Sequence, residues 1–410
     1  MSIRFVPFCA ALLMLGCGRS APLSPELIQA HAAHGSQAKA GRAFDALGEA
    51  RHVVGSIGPG ALYEISVPAS WNGDLVLFAH GYALPQLPVE IPQNQDGYSG
   101  IRDLLLQQGF AVAVSSYSEN GYAEAEGARQ VHQLRGLFVS SFGRPSRVFL
   151  MGQSLGGLIA IDLAESHSHE YAGALIVSGV LGGTSRQVNY IGDVRVVFDC
   201  LWPGLLGGTP TQIPEGAFPQ NAVIQALAGD PNKLGALLCT FRDPGFRLPG
   251  GNGPEFVQSA VRVLGFDWLG AGDLRGRTHG HELYDNVGVT YGGCAPQPVL
   301  DQLNGCVARF AASADAQAEM RNHYEPSGVL RIPVLTIHAE LDPIVPAGHE
   351  AVYAAKAAQS GSQDWLLTCV VPRYGHTEAF RPAEVVQAFD ALVGWVDSGQ
   401  KPSCPVFPTP

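Results

Sequence analysis

The stretch Val148-Phe149-Leu150-Met151-Gly152-Gln153-Ser154-Leu155-Gly156-Gly157 decides the fold that we expect for this chain. Its apolar run predicts a buried strand, and the small residues that come after Ser154 predict a helix. The glycines on either side of Ser154 permit a sharp turn, because a Cβ at either position would collide with neighbouring backbone. The sequence therefore predicts a nucleophile elbow that exposes the Ser154 hydroxyl at the edge of a sheet.

Strand and helix patterns alternate on both sides of the elbow. Strands are predicted at residues 53–57, 62–67, 75–79, 110–114, 174–180, 334–338 and 365–371, and helices at residues 101–108, 123–142, 155–165 and 383–396. This alternation predicts an α/β fold with a mostly parallel central sheet flanked by helices.

The alternation stops between residues 182 and 330, a stretch rich in Gly and Pro that holds four cysteines. An insertion of about 150 residues without its own strand pattern is uncommon in a compact domain. We expect it to form a disulfide-containing cap on a core made of residues 51–181 and 331–398. The cap would lie above the carboxyl ends of the strands, where open α/β sheets bind ligands. The alternative is a decoration far from the site. Residues 399–410 are predicted to be an irregular tail.

The amino terminus has the pattern of an export signal at residues 1–20. Arg4 precedes an apolar stretch, and small residues follow around Cys17. Cys17 also lies in a loose lipobox, so the sequence permits either lipid attachment of the protein to a membrane through Cys17 or plain secretion. Residues 21–50 are expected to form a flexible tether. The predicted location is extracytoplasmic: periplasmic, secreted, or anchored by lipid at the outer surface.

Six cysteines remain after the signal, an even number in a compartment that permits disulfides. Proximity in sequence favours the pairs Cys200–Cys239, Cys294–Cys306 and Cys369–Cys404, the last of which would attach the tail to a core strand. No C-x-x-C pair is present and no histidines alternate with the cysteines at ligand spacing, so we expect no metal site.

The composition excludes one broad class of function. Of the 410 residues, 46% are hydrophobic and 15% are charged, and the net charge is -11. Such a chain can fill the core of one large α/β domain with an insertion, or of two domains. It lacks the excess of basic residues that phosphate backbones select, so we expect no nucleic-acid partner.

Two residues near the carboxyl terminus could activate Ser154. A serine hydroxyl needs a histidine to take its proton and a carboxylate to orient that histidine. Asp342 follows the predicted strand 334–338 in a proline-fixed turn, and His376 lies in the loop after the last strand. Glu340 is a competing acid, and Asp342 could instead be an ordinary turn or helix-cap residue.

Two backbone N–H groups are predicted to bind the oxyanion of a reacting carbonyl. One is that of Leu155, directly after the serine, and the other is that of Tyr82, in the glycine-containing loop after the strand 75–79. The Tyr82 ring and Gln153 are the predicted contacts to substrate. We expect His80 to be structural.

Together, H-G-Y at residues 80–82, G-Q-S-L-G-G at 152–157, H-A-E-L-D-P at 338–343 and Y-G-H at 374–376 resemble the motifs of the α/β-hydrolase superfamily. The resemblance covers about residues 62–396. It implies an α/β-hydrolase fold, a triad of Ser154, Asp342 and His376, oxyanion donors at Tyr82 and Leu155, and no cofactor. Ala339 departs from the H-G-x-x-D pattern, in which glycine usually stands at that position.

The stretch 115–121 is similar to loops of secreted esterase-like and prolyl-oligopeptidase-like members of the superfamily. The expected function is that of an extracytoplasmic serine hydrolase that cleaves small-molecule carboxylic esters through an acyl-enzyme. Three alternatives remain: a serine peptidase or aminopeptidase of the prolyl-oligopeptidase-like type, a non-catalytic binding protein on the same scaffold, and a structural cell-surface protein, which only the possible lipid anchor suggests.

Overall fold

The computed structural model of the chain describes residues 50–250 and 254–408. The predicted export signal, Cys17 with its lipobox and all of the tether except Ala50 lie outside the described residues.

The centre of the fold is a sheet of eight strands in the order β1-β2-β4-β3-β5-β6-β7-β8. The first two strands run antiparallel to their neighbours, and all the others are parallel. The strands are β1 (Arg51–Ser56), β2 (Leu62–Val67), β3 (Asp74–Ala79), β4 (Ala111–Ser115), β5 (Arg147–Gln153), β6 (Gly173–Val177), β7 (Val334–Leu341) and β8 (Leu366–Tyr374).

Helices cover both faces of this sheet. Helices α1 (Tyr98–Gln107) and α11 (Pro382–Ser398) pack on one face, and α2 (Glu124–Phe142), α3 (Leu155–Ser166) and α10 (Gly348–Gln359) pack on the other. The central strands are mostly apolar because both of their faces are buried, as in β3, where every residue is buried and only Asp74 is polar. The predicted α/β fold with a mostly parallel sheet is confirmed.

Several element boundaries differ from the sequence prediction: β6 ends at Val177 instead of residue 180, and β8 continues to Tyr374 instead of ending at residue 371. Two further differences concern β7 and α10. Strand β7 continues to Leu341 instead of ending at His338, with a bulge between Ala339 and Leu341. Helix α10 was not predicted, because its alanine-rich sequence lacks a clear apolar stripe. Its core contacts come from two side chains, Tyr353 and Ala357.

The segment between β6 and β7, which we call the cap, contains six helices within its described residues. They are α4 (Thr184–Leu201), α5 (Gln220–Gly229), α6 (Pro231–Leu238), α7 (Pro254–Arg277), α8 (Gln297–Cys306) and α9 (Ala314–His323). Buried side chains of α4 to α8 form a hydrophobic cluster separate from the two clusters of the sheet.

Two of the three predicted disulfides are wrong. The cap contains the pairs Cys200–Cys306 and Cys239–Cys294. The prediction paired cysteines that are close in sequence, but helix packing brings the end of α4 to the end of α8. The third pair, Cys369–Cys404, is as predicted.

The tail lies along β8 and is attached by more than its disulfide. The buried guanidinium of Arg373 donates to the backbone oxygens of Pro408 and Ala379 and to both carboxylate oxygens of Glu384. The rings of Phe407 and Phe380 are 5.9 Å apart. Arg373 therefore connects the tail to the loop after β8 and to the start of α11.

Within the described residues, every helix is too short or too polar to cross a membrane.

Candidate active site

Ser154 lies at the turn between β5 and α3, as the sequence predicts. Its backbone is strained, with φ 55° and ψ −121°, and its N–H donates to Val177 O on the neighbouring strand at 3.0 Å. A Cβ at Gly152 would lie 2.1 Å from Gly156 O, and one at Gly156 would lie 2.0 Å from Ala79 O. Both glycines are therefore required by the close approach of backbone to backbone.

The structure brings His376 and Asp342 together. His376 Nδ1 lies 2.6 Å from Asp342 Oδ2, and both residues are buried. The other carboxylate oxygen of Asp342 accepts the N–H groups of Ile344 and Val345 at 2.8 Å and 3.0 Å. Asp342 is thus both a turn residue and the partner of the histidine, whereas Glu340 is exposed.

A second histidine stands on the other side of Asp342. His338 Nε2 lies 3.4 Å from Asp342 Oδ2, and its Nδ1 lies 3.0 Å from Glu350 Oε1. Burial alone would lower the pKa of His338, but these two carboxylates raise it to about 10. Burial would likewise raise the pKa of Asp342, but His376 and His338 hold it well below the usual value. Asp342 is therefore ionised at neutral pH.

Asp96 connects the loop after β3 to the loop that carries His376. Its Oδ2 accepts the Gly81 N–H at 3.0 Å, and its Oδ1 accepts the Thr377 hydroxyl, also at 3.0 Å. A Cβ at Gly81 would lie 3.2 Å from Ser154 Cβ, so this loop lies directly against the elbow. Asp96 therefore links the loop beside Ser154 to the loop that carries His376. No signal in the sequence points to Asp96, because both of its contacts are distant along the chain.

The remaining nitrogen of the histidine is available for chemistry. His376 Nε2 is buried, and no hydrogen-bond partner lies within reach of it in the described part of the chain. The contact to Asp342 occupies Nδ1, so Nε2 is the atom that can exchange a proton.

The two residues predicted as oxyanion donors, Leu155 and Tyr82, each follow a residue of the elbow region: Leu155 follows Ser154, and Tyr82 follows Gly81, which packs against Ser154. Leu155 is the first residue of α3, where backbone N–H groups have no acceptor within the helix and the helix dipole favours negative charge. In the loop after β3, the Gly81 N–H is engaged by Asp96, and Tyr82 follows it. The His80 ring stacks on Tyr117 at 3.9 Å and contacts Gly81 O through Nδ1, which fits a structural role.

A cavity of about 840 Å³, counted with its part open to solvent, begins at Ser154 and extends between the core and the cap. Tyr82 and Leu155 line it on the core side. Gln153 is buried at the end of β5 and does not line this cavity, although the sequence proposed it as a substrate contact. No cluster of three or more His, Cys, Asp or Glu side chains suited to a metal occurs in residues 50–250 and 254–408.

The strand order, the elbow after β5 and the buried acid and histidine after β7 and β8 define the α/β-hydrolase fold, and the chain adopts it. It is a form of that fold with a large helical insertion between β6 and β7.

Solved structures with similar folds include several hydrolases. Feruloyl esterase B from Aspergillus oryzae matches with a TM-score of 0.49 and 12% identity, covering 86% of this chain and 82% of that one. An esterase from Pyrococcus furiosus matches with a TM-score of 0.43 and 11% identity, covering 86% and 92%. An acylaminoacyl peptidase from Pyrococcus horikoshii matches with a TM-score of 0.44 and 11% identity, covering 88% and 43%. Identities this low say nothing about substrate or activity.

No protein-family model matches the chain, and no curated protein matches it.

Proposed function

We propose that this protein is a serine hydrolase that cleaves carboxylic esters through an acyl-enzyme, with Ser154 as nucleophile, His376 as general base and Asp342 as the orienting acid. The observation that carries the proposal is the buried 2.6 Å contact between His376 Nδ1 and Asp342 Oδ2, which leaves Nε2 without a partner among the described residues, at the sheet edge that bears the elbow. His376 Nε2 makes no hydrogen bond to Ser154 Oγ in this structure, and the proposal requires that the two atoms meet when substrate binds. A serine on a strained turn that gives its proton to such a histidine is an activated nucleophile.

In the first half of the reaction, Ser154 Oγ attacks the ester carbonyl while His376 Nε2 takes its proton. The carbonyl oxygen becomes an oxyanion, which the N–H groups of Leu155 and Tyr82 bind. The tetrahedral intermediate then breaks its bond to the alcohol, which leaves with the proton from His376. A water molecule attacks the acyl-enzyme by the same steps in reverse, and this releases the acid and restores Ser154.

An extracytoplasmic location is part of the proposal. Three disulfides in the described residues are typical of proteins from an oxidising compartment. Lipid attachment through Cys17 is tested by the substitution Cys17→Ser followed by cell fractionation. Release of the protein from the membrane fraction supports the anchor, and unchanged membrane retention excludes it.

The first test is labelling by a fluorophosphonate, which reacts with activated serines. We expect the probe to label the wild-type protein and not to label the Ser154→Ala variant. The two proteins should have the same melting temperature. Absence of labelling in the folded wild-type protein would favour a non-catalytic binding protein on this scaffold.

A second test separates ester from amide cleavage, because the elbow accepts both kinds of carbonyl. p-Nitrophenyl esters of increasing chain length are assayed beside aminoacyl anilides. We expect a higher kcat/KM for the esters. A higher value for the anilides would identify the protein as a peptidase instead.

A further inference from the structure

Helix α7 forms the roof of the cavity and is attached to the core at both ends. Near its start, Ser259 and Arg262 contact Tyr374 and Glu378, which flank His376. Near its end, Asp273 accepts the Tyr122 N–H at 2.6 Å and Arg277 pairs with Glu119. The middle of the helix faces the cavity. The roof is therefore a fixed wall of the site.

The lining of the cavity is mostly apolar. The apolar residues come from the core and from the cap, and they include Val180, Ile191, Phe266, Leu274, Leu283 and Val345. Clefts with a mostly apolar lining and a few polar groups bind small organic molecules. A substrate that fills this one must be largely apolar.

Three polar residues that also line the cavity are bonded to the protein itself. Gln187 donates to Ile344 O at 2.7 Å and contacts His349 at 3.0 Å. Asp267 accepts from the buried Arg195 at 2.8 Å, and Arg275 donates to Thr211 O at 3.1 Å. None of these three residues needs a substrate to complete its hydrogen bonds.

Tyr82 is different. Tyr82 lines the cavity, and its buried hydroxyl has no hydrogen-bond partner in the described part of the chain. Among the lining residues, no other side-chain N or O atom is both buried and without a partner in residues 50–250 and 254–408. Burial, and next the charge of Asp273, hold the pKa of Tyr82 well above its usual value, so that the hydroxyl keeps its proton. A buried hydroxyl without a partner is unfavourable, and a ligand that bonds to it removes that penalty.

The position of the hydroxyl adds a distance requirement. Tyr82 Oη lies at the roof, where a Cβ on Gly270 of α7 would be 3.6 Å away. The Tyr82 N–H is the proposed oxyanion donor at the floor. The Tyr82 N–H and the Tyr82 hydroxyl are separated by the length of the tyrosine side chain. One substrate can therefore bind to both groups if about one aromatic ring lies between its carbonyl and its polar group.

We propose, building on the ester hydrolase function above, that the preferred substrates are esters of apolar, ring-bearing acids with a hydroxyl or ether oxygen at the far end of the ring, where Tyr82 Oη binds it. The apolar lining selects the ring. The Tyr82 hydroxyl selects the polar end.

The test compares methyl esters of phenylpropanoic acid with a hydroxyl in the para position, in the ortho position, or absent. The ortho ester carries the same group in the wrong place and is the matched control. We expect the wild-type protein to favour the para ester over the other two in kcat/KM by up to about tenfold, which is the size of one net hydrogen bond. In Tyr82→Phe the para-to-unsubstituted ratio should fall to about one.

A second pair of variants tests the location on the roof. Gly270→Leu fills the space that faces the hydroxyl and should reduce hydrolysis of the para ester more than that of the unsubstituted ester. Gly272→Leu, on the same helix, points to open space and should leave the ratio unchanged. A ratio that is the same in wild type and Tyr82→Phe overturns the inference. Absence of hydrolysis of all three esters, together with absence of fluorophosphonate labelling, instead overturns the proposed function itself.

Discussion

The core and the cap are held together by different means. Each strand of the core pairs with its neighbours in the sheet, and the residues proposed for chemistry lie where β5, β7 and β8 end. The described residues of the cap form no such sheet. Its helices share one hydrophobic cluster and are crosslinked by two disulfides. The core therefore positions the residues proposed for chemistry, whereas the cap supplies the roof and part of the lining of the cavity.

The largest expected effect is a loss of kcat when the proposed triad residues of the core are replaced. Ser154→Ala and His376→Ala should each lower kcat by several orders of magnitude, and Asp342→Asn by about 10⁴-fold because it misorients the imidazole. Steady-state kinetics with a p-nitrophenyl ester measures the effect, and circular dichroism confirms folding. A properly folded Asp342→Asn variant with near wild-type kcat would remove Asp342 from the proposed mechanism.

The next largest expected effect is a loss of stability when a disulfide of the cap is removed. Replacing Cys200 and Cys306 by alanine should lower the free energy of unfolding by about 2–4 kcal/mol, because the unfolded chain loses a crosslink. The matched variant replaces Cys369 and Cys404. The cap disulfide spans 106 residues, but Cys239–Cys294 bridges 55 of them and shortens the loop that remains to about 51. The tail disulfide closes 35, so the two variants should lose similar amounts, within about 0.5 kcal/mol of each other. Urea denaturation measures both values.

Peptide mapping under non-reducing conditions checks the connectivity directly. Peptides that join Cys200 to Cys239 would restore the pairing expected from sequence proximity and contradict the helix packing of the cap.

A smaller effect concerns Asp96, a positioning residue between the loop after β3 and the His376 loop. In Asp96→Ala both the Gly81 N–H and the Thr377 hydroxyl lose their acceptor. We expect kcat/KM and the affinity for a boronic acid, which mimics the tetrahedral intermediate, to fall together by about tenfold. Asp103→Ala, on the exposed side of α1, is the control. Loss of thermal stability with unchanged boronate affinity would assign Asp96 a merely structural role.

The smallest effect concerns the attachment of cap to core. Arg262→Gln removes the pair with Glu378, which is half exposed, and should cost less than about 1 kcal/mol of stability. Thermal unfolding in low salt measures it, with Arg262→Lys as the charge-preserving control. A loss of several kcal/mol would show that the cap depends on this contact and is not a self-supporting unit.

The sequence predicted what depends on local signals. The strand before Ser154, the glycines beside it and the loops that hold Asp342 and His376 each carry their own pattern of apolar, glycine and proline residues. The disulfides of the cap depend on how six helices pack, and no local pattern encodes that packing. Asp96 was missed for the same reason, because it acts only through residues that are far from it along the chain.

The hydrogen bond from Arg373 to the tail means that shortening the protein at its carboxyl terminus would disturb the region around His376. Removing the residues after 399 would leave the Cys369 thiol without its disulfide partner. It would also remove the Phe407 ring that contacts Phe380 and one hydrogen-bond acceptor of Arg373. Arg373 lies three positions before His376 in the chain. A trimmed version made to ease crystallisation could thus lose turnover with the triad intact in its sequence.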